Sequence, residues 1–193
     1  MKNSFVVGVV LLAGLARGQT TPADDLKKQI ACEAELLRDS NAQEIQSGPE
    51  YKIFLDVAAA FKRDNPPRFY FVPGGGNAVY IAGSVAMDAK GKILMSRMFA
   101  TLMGNTSALT GIMAHEMAHL VTDIHDATRC DSWIIRDPKV EMAADALAAS
   151  KVGFGPVRAF LLRVEELTGA KDGDIASRLQ ALEKLEAEKS RQR

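Results

Sequence analysis

The chain has 193 residues, 47% of them hydrophobic and 25% charged, which is an ordinary composition for one globular domain with short appendages. This balance excludes a disordered, collagen-like or low-complexity protein. Lys and Arg total 24, as do Asp and Glu, so no net charge draws the chain to nucleic acid, and two cysteines are too few for a disulfide-dense scaffold.

The first 18 residues have the pattern of a secretory signal peptide. Lys2 provides a positive start, residues 5–15 form an apolar run, and Ala16-Arg17-Gly18 places small residues two apart, as a signal peptidase requires. The apolar run is shorter than the roughly 20 residues that span a bilayer as a helix. We therefore expect an exported protein, periplasmic or secreted, that starts near Gln19 and has no membrane span after cleavage.

Export bears on the two cysteines of the chain. In an oxidising compartment Cys32 and Cys130 can form a disulfide. Two buried free thiols are the alternative, because the sequence gives no distance between the two positions. Both possibilities stay open from the sequence.

Helical patterns fill residues 19–65. Thr21 before Pro22 predicts the start of a first helix, and Ser47-Gly48-Pro49 predicts its end. A second helix follows and is predicted to stop at Asn65-Pro66-Pro67. Its inner face comprises Ile53, Phe54, Val57, Ala58 and Phe61.

Residues 68–96 change to a strand pattern. Strands are predicted at 68–72, 79–87 and 92–96, with turns at 73–76 and 88–91. The triple glycine of the first turn matches no phosphate-binding or dinucleotide-binding pattern, so it is interpreted as turn chemistry.

From Arg97 onward the chain reads as helical. The predicted helices run from Asn105 or Thr106 to about Thr122, from Asp137-Pro138 to about Lys151, over 156–168 and over 174–189, with a break at 153–156 and a fraying tail at 189–193. Helices, a small sheet and further helices predict an α+β fold with the sheet packed on the helix after residue 105.

That helix carries the clearest chemical motif, His115-Glu116-Met117-Ala118-His119, an H-E-x-x-H pattern. Two histidines four apart on a helix lie on one face roughly 6 Å apart, so both imidazoles can bind one metal ion. Zinc suits two neutral nitrogens and one carboxylate, with water in the fourth position. Glu116 can then take a proton from the zinc-bound water and pass it to a leaving amine.

The third ligand has two candidates. His125 lies six residues after His119, as in the metzincin pattern H-E-x-x-H-x-x-G-x-x-H, but Thr122 stands where that pattern needs a glycine. Glu141 lies in or next to the first turn of the helix that Asp137 and Pro138 start, where the helix dipole favours a carboxylate. Asp145, one turn further on, is a candidate to accept a hydrogen bond from a ligating histidine.

Four further segments match motifs that accompany H-E-x-x-H in one type of metallopeptidase. They are Glu141-Met142-Ala143-Ala144-Asp145, Asn77-Ala78, Gly153-Phe154-Gly155-Pro156 and Arg178-Leu179. Over roughly residues 68–185 the chain resembles the HtpX and CAAX-prenyl-protease type of gluzincin zinc metallopeptidase, in a short soluble form. The family's usual His-Pro before the late Arg is replaced here by Asp172-Gly173-Asp174.

The resemblance implies a mainly helical zincin-like domain over residues 19–193, with the catalytic core at 66–193 and one Zn²⁺ per chain. His115, His119 and Glu141 would bind the zinc, and Glu116 would be the catalytic base. The strand near Asn77-Ala78 would hold an extended peptide by β-augmentation. His125 and Arg178 are the candidates for stabilising the oxyanion, and a surface ion pair is the alternative for Arg178.

The expected function is therefore that of an exported zinc endopeptidase. Its partner would be a peptide or protein substrate, with no nucleic acid involved, and the expected state is a monomer. Two alternatives remain. One is an exported zinc-bound binding or chaperone-like domain without catalysis; the other is a metzincin-like peptidase that uses His125 as third ligand.

Overall fold

The computed structural model describes residues 41–63, 66–73, 83–85, 92–122, 138–168 and 173–192. These residues form an α+β fold, as predicted, that is mostly helical with a small sheet. The strands are β1 (Gln43–Glu44), β2 (Arg68–Val72), β3 (Gly83–Val85) and β4 (Lys92–Ser96). The helices are α1 (Pro49–Ala60), α2 (Arg97–Met103), α3 (Thr106–Thr122), α4 (Pro138–Val152), α5 (Phe154–Thr168) and α6 (Gly173–Arg191).

The sheet has the strand order β1-β2-β4-β3 within the described residues. β2 and β4 are parallel, with Tyr70 opposite Leu94, while β1 and β3 are antiparallel to their neighbours. The middle of β2 is continuously buried at Phe69, Tyr70 and Phe71, as expected for a parallel strand covered on both faces. In the strand order above, β3 is an edge strand of this sheet, and it lies beside α3.

One hydrophobic core joins the sheet to the helices. The ring of Phe54 from α1 stacks on that of Phe69 from β2 at 5.2 Å between centroids. Ile93 and Met95 of β4 are buried in the same cluster as Met113 of α3. The sheet and α1 thus cover one side of α3, while α4 and α5 pack on its other sides.

α3 is the central helix of this arrangement. Every residue from 111 to 119 is buried, so the helix has no solvent face over that segment. Its N-terminus is capped by Asn105, whose side-chain oxygen accepts a hydrogen bond from the backbone N–H of Ala108 at 2.8 Å. Gly104 ends the preceding helix α2 with φ 71°, a left-handed conformation that favours glycine. The chain can therefore turn sharply between α2 and α3.

Gly111 sets the distance between α3 and α5. A Cβ at this position would lie 2.1 Å from the carbonyl oxygen of Pro156 and 2.8 Å from Cβ of Phe160. Only glycine lets the first turn of α5 approach the backbone of α3 this closely. The crossing brings the Phe160 side chain against the H-E-x-x-H segment of α3.

Strands β2 and β4 and helix α3 match the predicted ranges, but the end of the first predicted helix is wrong. Gln43 and Glu44 pair with β2 instead of continuing a helix toward Ser47. The backbone N–H of Ile45 also donates to the carbonyl of Phe69 at 2.8 Å, so hydrogen bonds to the open edge of β2 outweigh local helix preference here.

The predictions for the last two helices need smaller corrections. The break predicted at 153–156 is confined to Gly153, with φ 91°, and α5 begins at Phe154. The tail predicted to fray from Lys189 stays helical to Arg191. In these last turns the Lys189 ammonium lies over the ring of Phe154, 5.7 Å from the centroid, a contact that favours the helical tail.

Several predictions lie outside the described residues. These are the signal peptide, most of the first predicted helix, the Cys32–Cys130 pair and both ends of the strand predicted at 79–87. Among the residues that are described, no helix is both long and apolar enough to cross a membrane.

Candidate metal centre

Two histidines of α3 and one carboxylate of α4 meet at a single point. Nε2 of His119 lies 3.0 Å from Nε2 of His115. The carboxylate of Glu141 lies 3.2 Å from Nε2 of His115 through Oε2 and 3.6 Å from Nε2 of His119 through Oε1. Of the two candidates for third ligand, the structure thus places Glu141 beside both histidines, while His125 lies outside the described residues.

The separations among these atoms are close to those that one metal ion requires. Nitrogen and oxygen ligands about 2.0–2.2 Å from a tetrahedral zinc lie about 3.3–3.5 Å from one another. The two histidine nitrogens are 3.0 Å apart, and the two carboxylate oxygens of Glu141 lie 3.2 Å (Oε2 to His115) and 3.6 Å (Oε1 to His119) from them. The donor set and its spacing therefore fit a zinc ion without rearrangement of the helices.

The protonation of His115 follows from its second ring nitrogen. Nδ1 of His115 lies 2.8 Å from Oδ1 of Asp145, and since a carboxylate can only accept, Nδ1 carries the proton and donates it. The neutral ring then directs the lone pair of Nε2 toward His119 and Glu141. Lone pairs of two imidazoles and one carboxylate repel one another unless a proton or a metal ion lies between them.

In the absence of metal, a proton on His115 relieves the repulsion among these lone pairs. Burial lowers the pKa of His115, but hydrogen bonds to Asp145 and Glu141 and the nearby charge of Glu116 raise it by more than burial lowers it. The net effect raises the pKa of His115 from 6.5 to about 9. Metal binding must displace this proton, because the ligand is the neutral imidazole.

The two carboxylates of α4 stay ionised despite their burial. Burial raises the pKa of Glu141, but hydrogen bonding to His115 and the charge of Arg178 lower it to about 2. The pKa of Asp145 is likewise lowered to about 2, since its hydrogen bonds with Arg178 and His115 outweigh the effect of burial. Both groups are therefore anionic at neutral pH, as a metal ligand and its supporting acceptor must be.

Arg178 of α6 contacts both carboxylates of the cluster, Asp145 and Glu141. Its Nε donates to Oδ2 of Asp145 at 2.7 Å and its Nη2 donates to Oδ1 at 2.8 Å, a two-pronged contact. Nη1 lies 2.9 Å from Oε2 of Glu141. The side chain is only 4% exposed, so the alternative of a surface ion pair for Arg178 is wrong.

Glu116 sits next to the first histidine in the sequence and is 5% exposed. Its negative charge contributes to the raised pKa of His115, so its carboxylate lies within electrostatic reach of the ligand cluster. On the helix Glu116 is displaced from His115 by about 100°, which takes it out of the ligand row of His115 and His119. A carboxylate so placed can accept a proton beside the metal position without competing for it.

The cluster has a dry side and a wetter side. The side chains of His115, Asp145 and Arg178 are 3–4% exposed, while those of His119 and Glu141 retain 11% and 17% exposure. The side of His119 and Glu141 is therefore the more exposed side of the cluster. Asp145 and Arg178 form the opposite, water-excluded wall.

Sequence reasoning missed Phe160 as part of this wall. Its ring lies 5.5 Å from the His115 ring, and the guanidinium of Arg178 lies over it at 5.9 Å. Gly111, an isolated glycine inside a helical pattern, was the available signal, because such a glycine often marks a close approach of another element. The predicted substrate-binding residues Asn77 and Ala78 lie outside the described residues.

Comparisons with protein-family models, with curated proteins and with solved structures find no match to this chain.

Proposed function

We propose that the protein is a zinc-dependent endopeptidase of the gluzincin type, exported to the periplasm or the cell exterior. The observation that carries the proposal is the convergence of Nε2 of His115, Nε2 of His119 and the Glu141 carboxylate within 4.8 Å of one another. These residues belong to the H-E-x-x-H and E-x-x-A-D motifs, the most specific part of the resemblance to HtpX and CAAX-prenyl-protease metallopeptidases.

A bound zinc would act as a Lewis acid on the scissile carbonyl and would make water a better nucleophile at neutral pH. Glu116 would accept the proton of the attacking water and donate it to the leaving amine. Asp145 would hold His115 in the tautomer that leaves Nε2 free for the metal, through the 2.8 Å hydrogen bond to Nδ1.

Substrate would approach along the sheet edge beside α3. β3 is one of the two edge strands of the described sheet and packs beside the helix that carries the motif. An extended peptide paired with this edge would have its backbone carbonyl near the metal ligands. This placement favours cleavage of unfolded or extended segments over compact folded domains.

Glu116 supports a peptidase over a metal-bound binding domain without catalysis. A structural zinc site closes its fourth position and has no use for a buried base beside its ligands. Glu116 is 5% exposed and adjoins the ligand His115 in the sequence, which supports a catalytic role for its carboxylate.

The test compares the parent protein with Glu116→Gln and with Glu183→Gln, an exposed α6 position as matched control. Zinc per chain is measured by elemental analysis, and cleavage is measured by mass spectrometry on an unfolded protein substrate. We expect one zinc in all three proteins, cleavage by the parent and by Glu183→Gln, and loss of at least about 100-fold with Glu116→Gln.

Equal cleavage by Glu116→Gln and the parent would refute the mechanism. Stoichiometric zinc with no cleavage of any substrate by the parent would favour the non-catalytic binding domain. A parent that binds no zinc after reconstitution would remove the metal site from consideration.

A further inference from the structure

Arg178 contacts one oxygen of the candidate ligand Glu141 while it is fixed by another carboxylate. We infer that Arg178 is a positioning residue that restricts Glu141 to binding the metal through a single oxygen. This inference rests on the proposed metal site and specifies how its coordination number is set. It also assigns Arg178 a role other than contact with a substrate oxyanion.

The two oxygens of Glu141 have different surroundings. Oε2 lies 2.9 Å from Nη1 of Arg178 and 3.2 Å from Nε2 of His115, whereas Oε1 lies 3.6 Å from Nε2 of His119. A cation that used both oxygens would have to share Oε2 with a guanidinium, and the two positive charges would repel each other across one atom. Binding through Oε1 alone avoids that repulsion.

The guanidinium cannot move aside to permit two-oxygen binding. Asp145 holds it through two hydrogen bonds of 2.7 and 2.8 Å, and the ring of Phe160 lies against it at 5.9 Å. The side chain reaches the cluster from α6 and is 4% exposed. A planar guanidinium clamped in this way keeps its third nitrogen aimed at Glu141.

The same contacts argue against Arg178 as the group that stabilises an oxyanion. Its charge is already neutralised by Asp145 and Glu141, which reduces the field it can exert on a third negative group. It also lies on the dry side of the cluster with Asp145, opposite the more exposed His119 and Glu141. A substrate carbonyl that enters from the exposed side meets the ligand atoms first.

One-oxygen binding has a direct chemical consequence. Two imidazoles and one carboxylate oxygen fill three of the four positions of a tetrahedral zinc and leave one open. A second oxygen from Glu141 would crowd that open position, where water and substrate have to bind. Arg178 would therefore protect the reactive position without touching the reactants.

The experiment uses the full chain loaded with Co²⁺, a spectroscopic substitute for zinc, and with Zn²⁺. The variants are Arg178→Lys, which keeps the charge but cannot bridge two carboxylates in the same plane, and Arg178→Gln, which removes the charge. Arg158→Lys is the matched control, since Arg158 also joins α5 to α6 through an ion pair, with Glu186, away from the cluster. X-ray absorption gives the coordination number, and competition with a chelator gives the Zn²⁺ dissociation constant.

We expect four ligands in the parent and in Arg158→Lys, and five in both Arg178 variants, with Zn²⁺ affinity weakened about 10- to 100-fold. Urea unfolding of the metal-free proteins distinguishes the positioning role from a merely structural role of Arg178. A merely structural role would lower the unfolding midpoint and leave the coordination number at four. Four ligands with parental affinity in both Arg178 variants would refute the inference.

The parent itself separates this inference from the proposed function. A zinc-loaded, peptide-cleaving parent in which Glu141 already binds through two oxygens would overturn the positioning role and leave the peptidase proposal intact. A parent that binds neither metal would overturn both.

Discussion

The crossing of α3 and α5 at Gly111 predicts a large effect of a single methyl group. In Gly111→Ala the new Cβ would lie 2.1 Å from the oxygen and 2.7 Å from the carbon of the Pro156 carbonyl, and 2.8 Å from Cβ of Phe160. Two of these atoms are backbone and the third is attached to it, so none can rotate away. The helices must separate until the shortest contact reaches at least 3.0 Å, which requires a displacement of about 0.9 Å.

The free energy of this change has two opposing parts. Alanine is favoured over glycine inside a helix by about 1 kcal/mol. Overpacking of a close-packed contact costs about 1–3 kcal/mol, and the upper end applies here because the overlap is with backbone. The net loss is about 2 kcal/mol, which lowers the melting temperature of a chain of this length by about 4–8 °C.

The control for this prediction is Gly173→Ala, in the first turn of α6. Apart from the two adjacent residues, no heavy atom lies within 4 Å of a Cβ built there, so the same exchange should leave stability unchanged or raise it by up to about 1 kcal/mol. Thermal unfolding followed by circular dichroism compares both variants with the parent. A melting temperature of Gly111→Ala equal to or above that of Gly173→Ala would refute the close-approach argument.

Two further predictions concern pH and helix capping. In metal-free protein the pKa of His115 is raised from 6.5 to about 9, so protonated His115 stabilises the fold below pH 6.5 and this stability is lost as the pH rises through 9. The pKa values of Glu141 and Asp145 are lowered to about 2, so these carboxylates stabilise the fold above about pH 4.5 and this stability is lost on acidification toward pH 2. The melting temperature with chelator should therefore peak between about pH 4.5 and 6.5, and a rise between pH 6.5 and 9 would contradict the assigned protonation. Asn105→Ala removes the acceptor for the Ala108 N–H and should cost about 1 kcal/mol in urea unfolding, whereas Asn105→Asp keeps it; equal losses in both would exclude capping as the cause.

Local signals in the sequence predicted most element boundaries in the described residues. The aromatic run at 68–72 and the apolar run at 92–96 became β2 and β4 at those residues, because strand preference and turn residues agreed there. Their parallel pairing was not predictable, since it depends on which strand lies beside which. The same limit explains why the helix predicted through Gln43 and Glu44 is wrong, since pairing with β2 overrides the local helical pattern there.

The candidate centre was predictable to the extent that it depends on helix periodicity. His115 and His119 share one face because they are four residues apart, and Glu141 and Asp145 share a face for the same reason. The burial of Arg178 and the contact of Phe160 with His115 depend on how α5 and α6 cross α3 and α4. No short-range pattern contains that information.

The candidate centre draws on residues far apart in the chain, from His115 on α3 to Arg178 near the start of the last helix. A partly synthesised chain that lacks α6 would have the histidines and Glu141 but not the guanidinium that holds the two carboxylates. Metal capture, as proposed above, would therefore come late, after α6 has docked. Release of that metal and undocking of α6 would then be linked steps, so a bound ion would slow the local opening of α6.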